Sequence, residues 1–170
     1  MLNESNSPVP INYFLAPGYV FVPTKPTVIS AVLGSCVAVS IYDKERMVGG
    51  MGHFQVPQIQ DKHRATARYG NVATFALIRM MIDDGSKVKN LEAQVFGGAY
   101  DRNVCSRNIG RENVIVARRI LAKHRIRIIS EDVGGEKGRK VVFHTHTNEI
   151  AVLKVDKLRR SDWYPYEDDR

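Results

Sequence analysis

The distribution of apolar residues divides the chain into strand-like and helix-like segments. Segments rich in β-branched residues, with side chains that alternate or run continuously apolar between turn residues, predict β-strands. They lie at 27–33, 36–42, 47–56, 91–96, 126–131, 140–145 and 150–155, and a shorter one lies near 19–22.

Two other segments predict helices. Residues 72–82 are apolar at almost every position, which is typical of a helix buried on more than one side, and Asn71 is the expected N-cap. Residues 111–125 carry one apolar stripe, with Arg118 and Arg119 on the outward side.

These elements predict an α+β fold in a single domain. Mixed or largely antiparallel β-sheets form a sandwich-like core, with the two main helices packed against it. Short turns separate the first three strands of the domain, which favours antiparallel neighbours there. The expected organisation is an extended N-terminal lead-in over 1–26, the domain over 27–158 and a C-terminal tail over 159–170.

Composition narrows the class of protein. The chain has 170 residues, 44% hydrophobic and 25% charged, which are ordinary globular proportions. The net charge of +7 favours anionic partners without distinguishing nucleic acid, lipid or acidic protein, but no nucleic-acid-binding motif is present. The long uncharged runs near the N-terminus contain prolines or polar residues, so we expect a cytoplasmic protein without direct membrane insertion.

Candidate chemistry centres on one cysteine. Cys36 follows Gly34 and Ser35 where a turn meets a strand, and amides at such a turn can donate to an oxyanion. A nucleophilic thiolate needs a nearby base, for which His53 is the candidate, and Ser30 is a candidate for holding the imidazole. A buried, inert cysteine fits the same pattern.

Several motifs in order resemble the CheD family of chemoreceptor glutamine deamidases. They are Leu33-Gly-Ser-Cys-Val-Ala-Val39 with Asp43, Gly49-Gly-Met-Gly-His-Phe54 with Pro57, Phe96-Gly-Gly-Ala99, Asn108-Ile-Gly110, Asp132-Val-Gly-Gly135 and Gly138-Arg-Lys140. The resemblance covers residues 27–155, and motifs in series are more specific than one short match.

The resemblance implies a hydrolase that deamidates glutamines of chemotaxis receptors, and that is linked to hydrolysis of glutamyl methyl esters. It implies Cys36 as nucleophile, His53 as base and Ser30 as the orienting hydroxyl residue, a position where the family usually has Thr. It implies no cofactor and no metal. The receptor's cytoplasmic domain would be the substrate, a CheC-type phosphatase a possible partner, and a membrane-bound receptor array the place of recruitment.

Two other functions fit the same residues. A regulatory adaptor would bind receptors or the phosphatase with little turnover. A cysteine protease uses the same nucleophile, and only the shape of the pocket separates peptide-bond cleavage from side-chain amide hydrolysis.

Overall fold

Nine strands and two α-helices make up the described part of the chain, residues 9–158 of a computed structural model. The predicted tail over 159–170 lies outside these residues. The strands are β1 Ile11–Phe14, β2 Tyr19–Phe21, β3 Thr27–Leu33, β4 Val37–Asp43, β5 Val48–Phe54, β6 Leu91–Gly97, β7 Arg127–Val133, β8 Gly138–His144 and β9 Ile150–Val155. The α-helices are α1 Gly70–Asp83 and α2 Ile109–Lys123, and short 3₁₀ turns lie at Lys62–Arg64 and Val88–Asn90.

The strands form two mixed sheets. One has four strands in the order β1-β3-β8-β9, and the other has five in the order β2-β5-β4-β6-β7. Pairing is antiparallel except between β1 and β3 and between β6 and β7. The predicted α+β class, with helices packed on sheets, is confirmed.

Two hydrophobic clusters fix the order of the layers. Val37, Val39 and Ile41 of β4 pack with Leu77 and other residues of α1 and α2. The opposite face of the same sheet packs against the four-stranded sheet through side chains that include Cys36, Ala38, Met51, Ile29 and Phe143. The five-stranded sheet is therefore the middle layer, buried on both faces, which explains why every residue of β4 is buried.

The predicted antiparallel neighbourhood of the first three domain strands is only partly correct. β4 and β5 form an antiparallel pair, with Ala38 opposite His53. β3 instead pairs with β8 and β1 in the other sheet. The turn at Gly34 and Ser35 carries the chain from one sheet to the other, so adjacency in sequence becomes stacking across the core.

The N-terminal lead-in contributes to both sheets. β2 corresponds to the strand predicted near 19–22. β1 was not predicted, because residues 1–26 contain five prolines and show little periodicity; its four residues are all exposed. Between them Leu15 is fully buried, and Gly18 N–H donates to the His53 carbonyl at 2.7 Å. This connection, residues 15–18, joins an edge of each sheet beside His53.

Asn71 is not the N-cap of α1. The cap position is Tyr69, and Asn71 lies inside the first turn. Its side chain accepts from Ile59 N–H at 3.1 Å and donates to the Ile59 carbonyl at 2.9 Å. The residue thus anchors the preceding loop. Over residues 9–158, neither helix has the length and apolar character that a membrane span requires.

Candidate active site

Cys36 lies at the corner between the two sheets, immediately before β4. The residue is 3% exposed and belongs to the hydrophobic cluster between the sheets. Its position therefore combines a turn backbone, which orients amides, with an apolar surrounding for the side chain.

Three consecutive carbonyl groups of this turn are held by three different donors. The Gly34 carbonyl accepts from Ala99 N–H at 2.9 Å, and the Cys36 carbonyl accepts from Gly98 N–H at 2.8 Å. Between them, the Ser35 carbonyl accepts from the side-chain amide of Asn113 at 2.9 Å. Each bond fixes the plane of one peptide, so the backbone around the thiol is rigidly oriented.

Glycine is required where β6 ends against this turn. Gly97 has φ +102°, a conformation that side chains disfavour, and a Cβ there would collide with the Cys36 carbonyl oxygen. Gly98 has φ +66° and would meet Val114 and the Gly110 carbonyl. The two glycines thus allow β6 and the following loop to approach the cysteine backbone closely.

His53 is fully buried on β5, and its tautomer follows from one hydrogen bond. The Nδ1 atom lies 3.0 Å from the Leu15 carbonyl oxygen. A carbonyl only accepts, so in the neutral ring Nδ1 carries the proton and Nε2 is the basic nitrogen. The N-terminal connection therefore sets the orientation of the imidazole and the tautomer of its neutral form.

Cys36 and His53 lie on the same face of the five-stranded sheet. His53 is opposite Ala38, and it alternates with Met51, whose side chain shares the cluster containing Cys36. Extending the register by one residue beyond β4 places Cys36 diagonally across from His53. Such diagonal neighbours have Cα atoms roughly 7–8 Å apart, within reach of side-chain interaction.

Ser30 lies on β3, and the described hydrogen bonds connect it to His53 through its main-chain carbonyl. Nδ1 of His53 donates to the Leu15 carbonyl, and Leu15 N–H donates to the Ser30 carbonyl at 2.8 Å. The Ser30 side chain is half-buried and alternates with inward-facing Ile29 and Ala31. Ser30 is therefore connected to the imidazole indirectly, through two hydrogen bonds that both involve the backbone of Leu15.

Asn113 was not predicted as a site residue. The residue is fully buried in α2, and its Nδ2 donates to the Ser35 carbonyl and to the Gln55 carbonyl, each at 2.9 Å. The sequence does contain one indication of its role. Asn113 lies four and eight residues before Ala117 and Leu121, on the apolar stripe of the helix, where an apolar residue is expected.

A buried arginine supports the glycine loop from the other side. Arg139 is 1% exposed and donates to Asp132 at 2.8 Å and to the Gly134 carbonyl at 2.6 Å. Gly134 N–H in turn donates to the Gly97 carbonyl at 2.9 Å. Burial opposes ionisation of Asp132, but the hydrogen bond and charge of Arg139, with Lys154, outweigh it and lower the pKa of this carboxyl.

The second cysteine lies in a different environment. Cys105 is buried in the loop before α2, and burial, together with the charge of Asp101, raises the pKa of its thiol. A raised pKa decreases the thiolate fraction, so Cys105 is the natural internal control for Cys36.

The fold and this site define a class: an α+β protein with a cysteine and a histidine on one buried sheet face. The family model described as CheD chemotactic sensory transduction matches residues 55–154. Sequence relatives extend over more of the chain, and each is named as a probable chemoreceptor glutamine deamidase CheD. The relative from Sulfurimonas denitrificans is 36% identical over 81% of this chain and 90% of its own length.

Two further relatives agree. The protein from Anaeromyxobacter dehalogenans, numbered CheD 1, is 42% identical over 84% of both chains. The protein from Trichlorobacter lovleyi is 36% identical over 89% of this chain and 95% of its own. The chain belongs to the CheD family.

Proposed function

We propose that the protein is a chemoreceptor glutamine deamidase, an amidohydrolase that converts receptor glutamine side chains to glutamate. Family membership supports the reaction class, and the relatives' names supply the receptor as substrate. The observation that carries the mechanism is the placement of Cys36 beside His53 on one buried face, with the imidazole held by Nδ1.

In this mechanism the Cys36 thiolate attacks the carboxamide carbon of glutamine. Electrons move onto the carbonyl oxygen, and the backbone amides of the turn at residues 34–36 stabilise the resulting oxyanion. The His53 imidazolium protonates the amide nitrogen, the C–N bond breaks and ammonia departs. The glutamyl group then remains bound to Cys36 as a thioester. Neutral His53 then takes a proton from water at Nε2, the hydroxide attacks the thioester, and the C–S bond breaks to give glutamate.

Burial of the nucleophile favours side-chain amides over peptide bonds. Cys36 is 3% exposed, so a substrate group must enter on a thin stem. Glutamine places its carboxamide at the end of two methylene groups, whereas a peptide carbonyl is flanked by main chain on both sides. The geometry therefore favours deamidation over proteolysis.

The same thioester forms from a glutamyl methyl ester, with methanol as the leaving group. We propose this esterase activity as a secondary reaction of the same residues.

The receptor lies in membrane-bound arrays, so recruitment there follows from the proposed substrate. A CheC-type phosphatase as partner rests on the family resemblance, and binding of it without turnover would be the adaptor function.

Mass spectrometry of a cytoplasmic chemoreceptor fragment tests the proposal. Wild-type protein should convert particular glutamines to glutamates, a gain of about 1 Da per site, while Cys36→Ala and His53→Gln should not. Cys105→Ala is the matched control and should retain conversion. Conversion that survives Cys36→Ala would refute the nucleophile, peptide fragments would indicate a protease, and binding without any conversion would favour the adaptor.

A further inference from the structure

The side chain of Asn113 in α2 donates two hydrogen bonds to main-chain carbonyls that lie outside its own helix. Its Nδ2 donates to the carbonyl of Ser35, the residue before the nucleophile, and to the carbonyl of Gln55, two residues after His53. One amide group thus bridges the cysteine turn and the end of the strand that carries the histidine.

The bond to Ser35 acts on the amide of Cys36. In a planar trans peptide, the carbonyl of one residue and the N–H of the next point in opposite directions. Holding the Ser35 carbonyl toward α2 therefore fixes the direction of the Cys36 N–H on the far side of the same peptide. The nucleophile's own amide is a common oxyanion donor in acyl-transfer enzymes.

The flanking peptides are held by main-chain donors, Ala99 and Gly98. The peptide that contains the Cys36 amide is the exception, since its carbonyl receives a side-chain donor. The hydrogen bond to this carbonyl therefore depends on the identity of one side chain.

Asn113 is a polar residue on the otherwise apolar buried stripe of α2. It is fully buried, and its Oδ1 receives no hydrogen bond from the described residues, so burying this amide costs free energy. The two hydrogen bonds of Nδ2 offset that cost, and both go to carbonyls within two residues of Cys36 or His53.

We propose that Asn113 is a positioning residue of the active site, which aims the Cys36 amide at the oxyanion and holds the cysteine turn against the end of β5. This inference rests on the proposed deamidase function. Asn113 acts through the backbone of Ser35 and does not contact the substrate. Its loss should therefore lower kcat and leave KM nearly unchanged, because the oxyanion exists only beyond the ground state.

The variant Asn113→Asp keeps the shape but cannot satisfy both carbonyls: a carboxylate would face two carbonyl oxygens that repel it, and the protonated carboxyl can donate to only one of them. Removing one oxyanion donor outright lowers kcat by roughly 100- to 1000-fold, so a misaimed donor should lower it by about 30-fold or more. KM for a chemoreceptor fragment should change less than about twofold. The pH midpoints of kcat/KM should shift, because no amide then bridges the backbone beside Cys36 to the backbone beside His53.

Gln94→Glu is the matched control. Gln94 is a buried amide whose Nε2 donates to the Asn148 carbonyl and side chain, at 3.2 and 3.0 Å. It pairs with Ser40, four strand residues from Cys36 and hence about 13 Å away. This variant should lower Tm while leaving kcat within about twofold of wild type.

The outcomes separate the two proposals. Loss of kcat in Asn113→Asp, at a Tm comparable to that of Gln94→Glu, supports the positioning role. Wild-type kcat in a folded Asn113→Asp protein overturns it, as does an equal loss of kcat in both variants. If Asn113→Asp does not fold, Asn113→Ser, which keeps one shorter donor, should show a partial loss of kcat, and unchanged kcat there overturns the inference. Wild-type protein without Cys36-dependent conversion would instead refute the proposed function itself.

Discussion

Arg139→Met should destabilise the protein, and the structure sets the size of the effect. Arg139 is the largest fully buried side chain in the described part of the chain, and it donates to Asp132, to the Gly134 carbonyl and, at 3.1 Å, to the Lys137 carbonyl. Methionine fills much of the volume of the stem but removes every donor.

Breaking a buried ion pair costs about 3–5 kcal/mol when the remaining charge stays buried. Here the Asp132 side chain is 33% exposed and keeps Lys154 at 3.3 Å, so water and the lysine compensate in part. We therefore expect a loss of about 2–3 kcal/mol in the free energy of unfolding. For a chain of this size that corresponds to a decrease in Tm of about 4–12 °C.

The effect should depend on pH in a defined direction. The pKa of Asp132 is lowered in the folded state, so its stabilisation is present above the pKa of the unfolded chain and is lost as pH falls through the folded pKa. Removing Arg139 removes the main cause of that lowering. The difference between wild type and Arg139→Met should therefore be largest near neutral pH and shrink below about pH 4.

Urea unfolding followed by circular dichroism at pH 7, 5 and 3.5 measures these differences. Lys137→Met is the control, because the Lys137–Asp156 ion pair is largely exposed, and this variant should unfold at the wild-type urea concentration. A stability of Arg139→Met at pH 7 equal to or above that of wild type would refute the reasoning. It would mean that desolvation of the guanidinium costs more than its contacts return.

Three further tests concern individual residues. Gly97→Ala should abolish most deamidation, because its Cβ would displace the Cys36 carbonyl. The control is Gly135→Ala, which is also at positive φ but has open space around it; it should cost only about 1–2 kcal/mol of stability and keep the activity. Equal activity in both variants would contradict this expectation. Ser30→Ala should keep kcat within about threefold of wild type if the residue acts through its carbonyl, whereas a loss of about tenfold that Ser30→Thr rescues would restore the hydroxyl role. Met47→Asn should raise stability by about 0.5–1 kcal/mol in urea unfolding, since Met47 is exposed at φ +56°, and a decrease would show that its side chain contributes packing.

The sequence determined the elements and the chemical groups. Period-two alternation and β-branched composition are local properties, and they located eight of the nine described strands as well as the fold class. The short turn after β4 likewise favoured the antiparallel pairing of β4 with β5 that the structure shows. The spaced motifs around both residues then carried the family resemblance.

Tertiary structure decided which partners complete the site. The assignment of β3 to the opposite sheet, the contact between Leu15 and His53, and the contact between Asn113 and Ser35 join residues far apart in the chain. Two of these contacts use main-chain carbonyls, which every residue has, so side-chain pattern carries no signal for them. Such pairings depend on how layers stack, and stacking results from burial of the whole set of apolar faces at once. The residues that perform the proposed chemistry are therefore visible in the sequence, whereas the groups that orient them follow only from the packed structure.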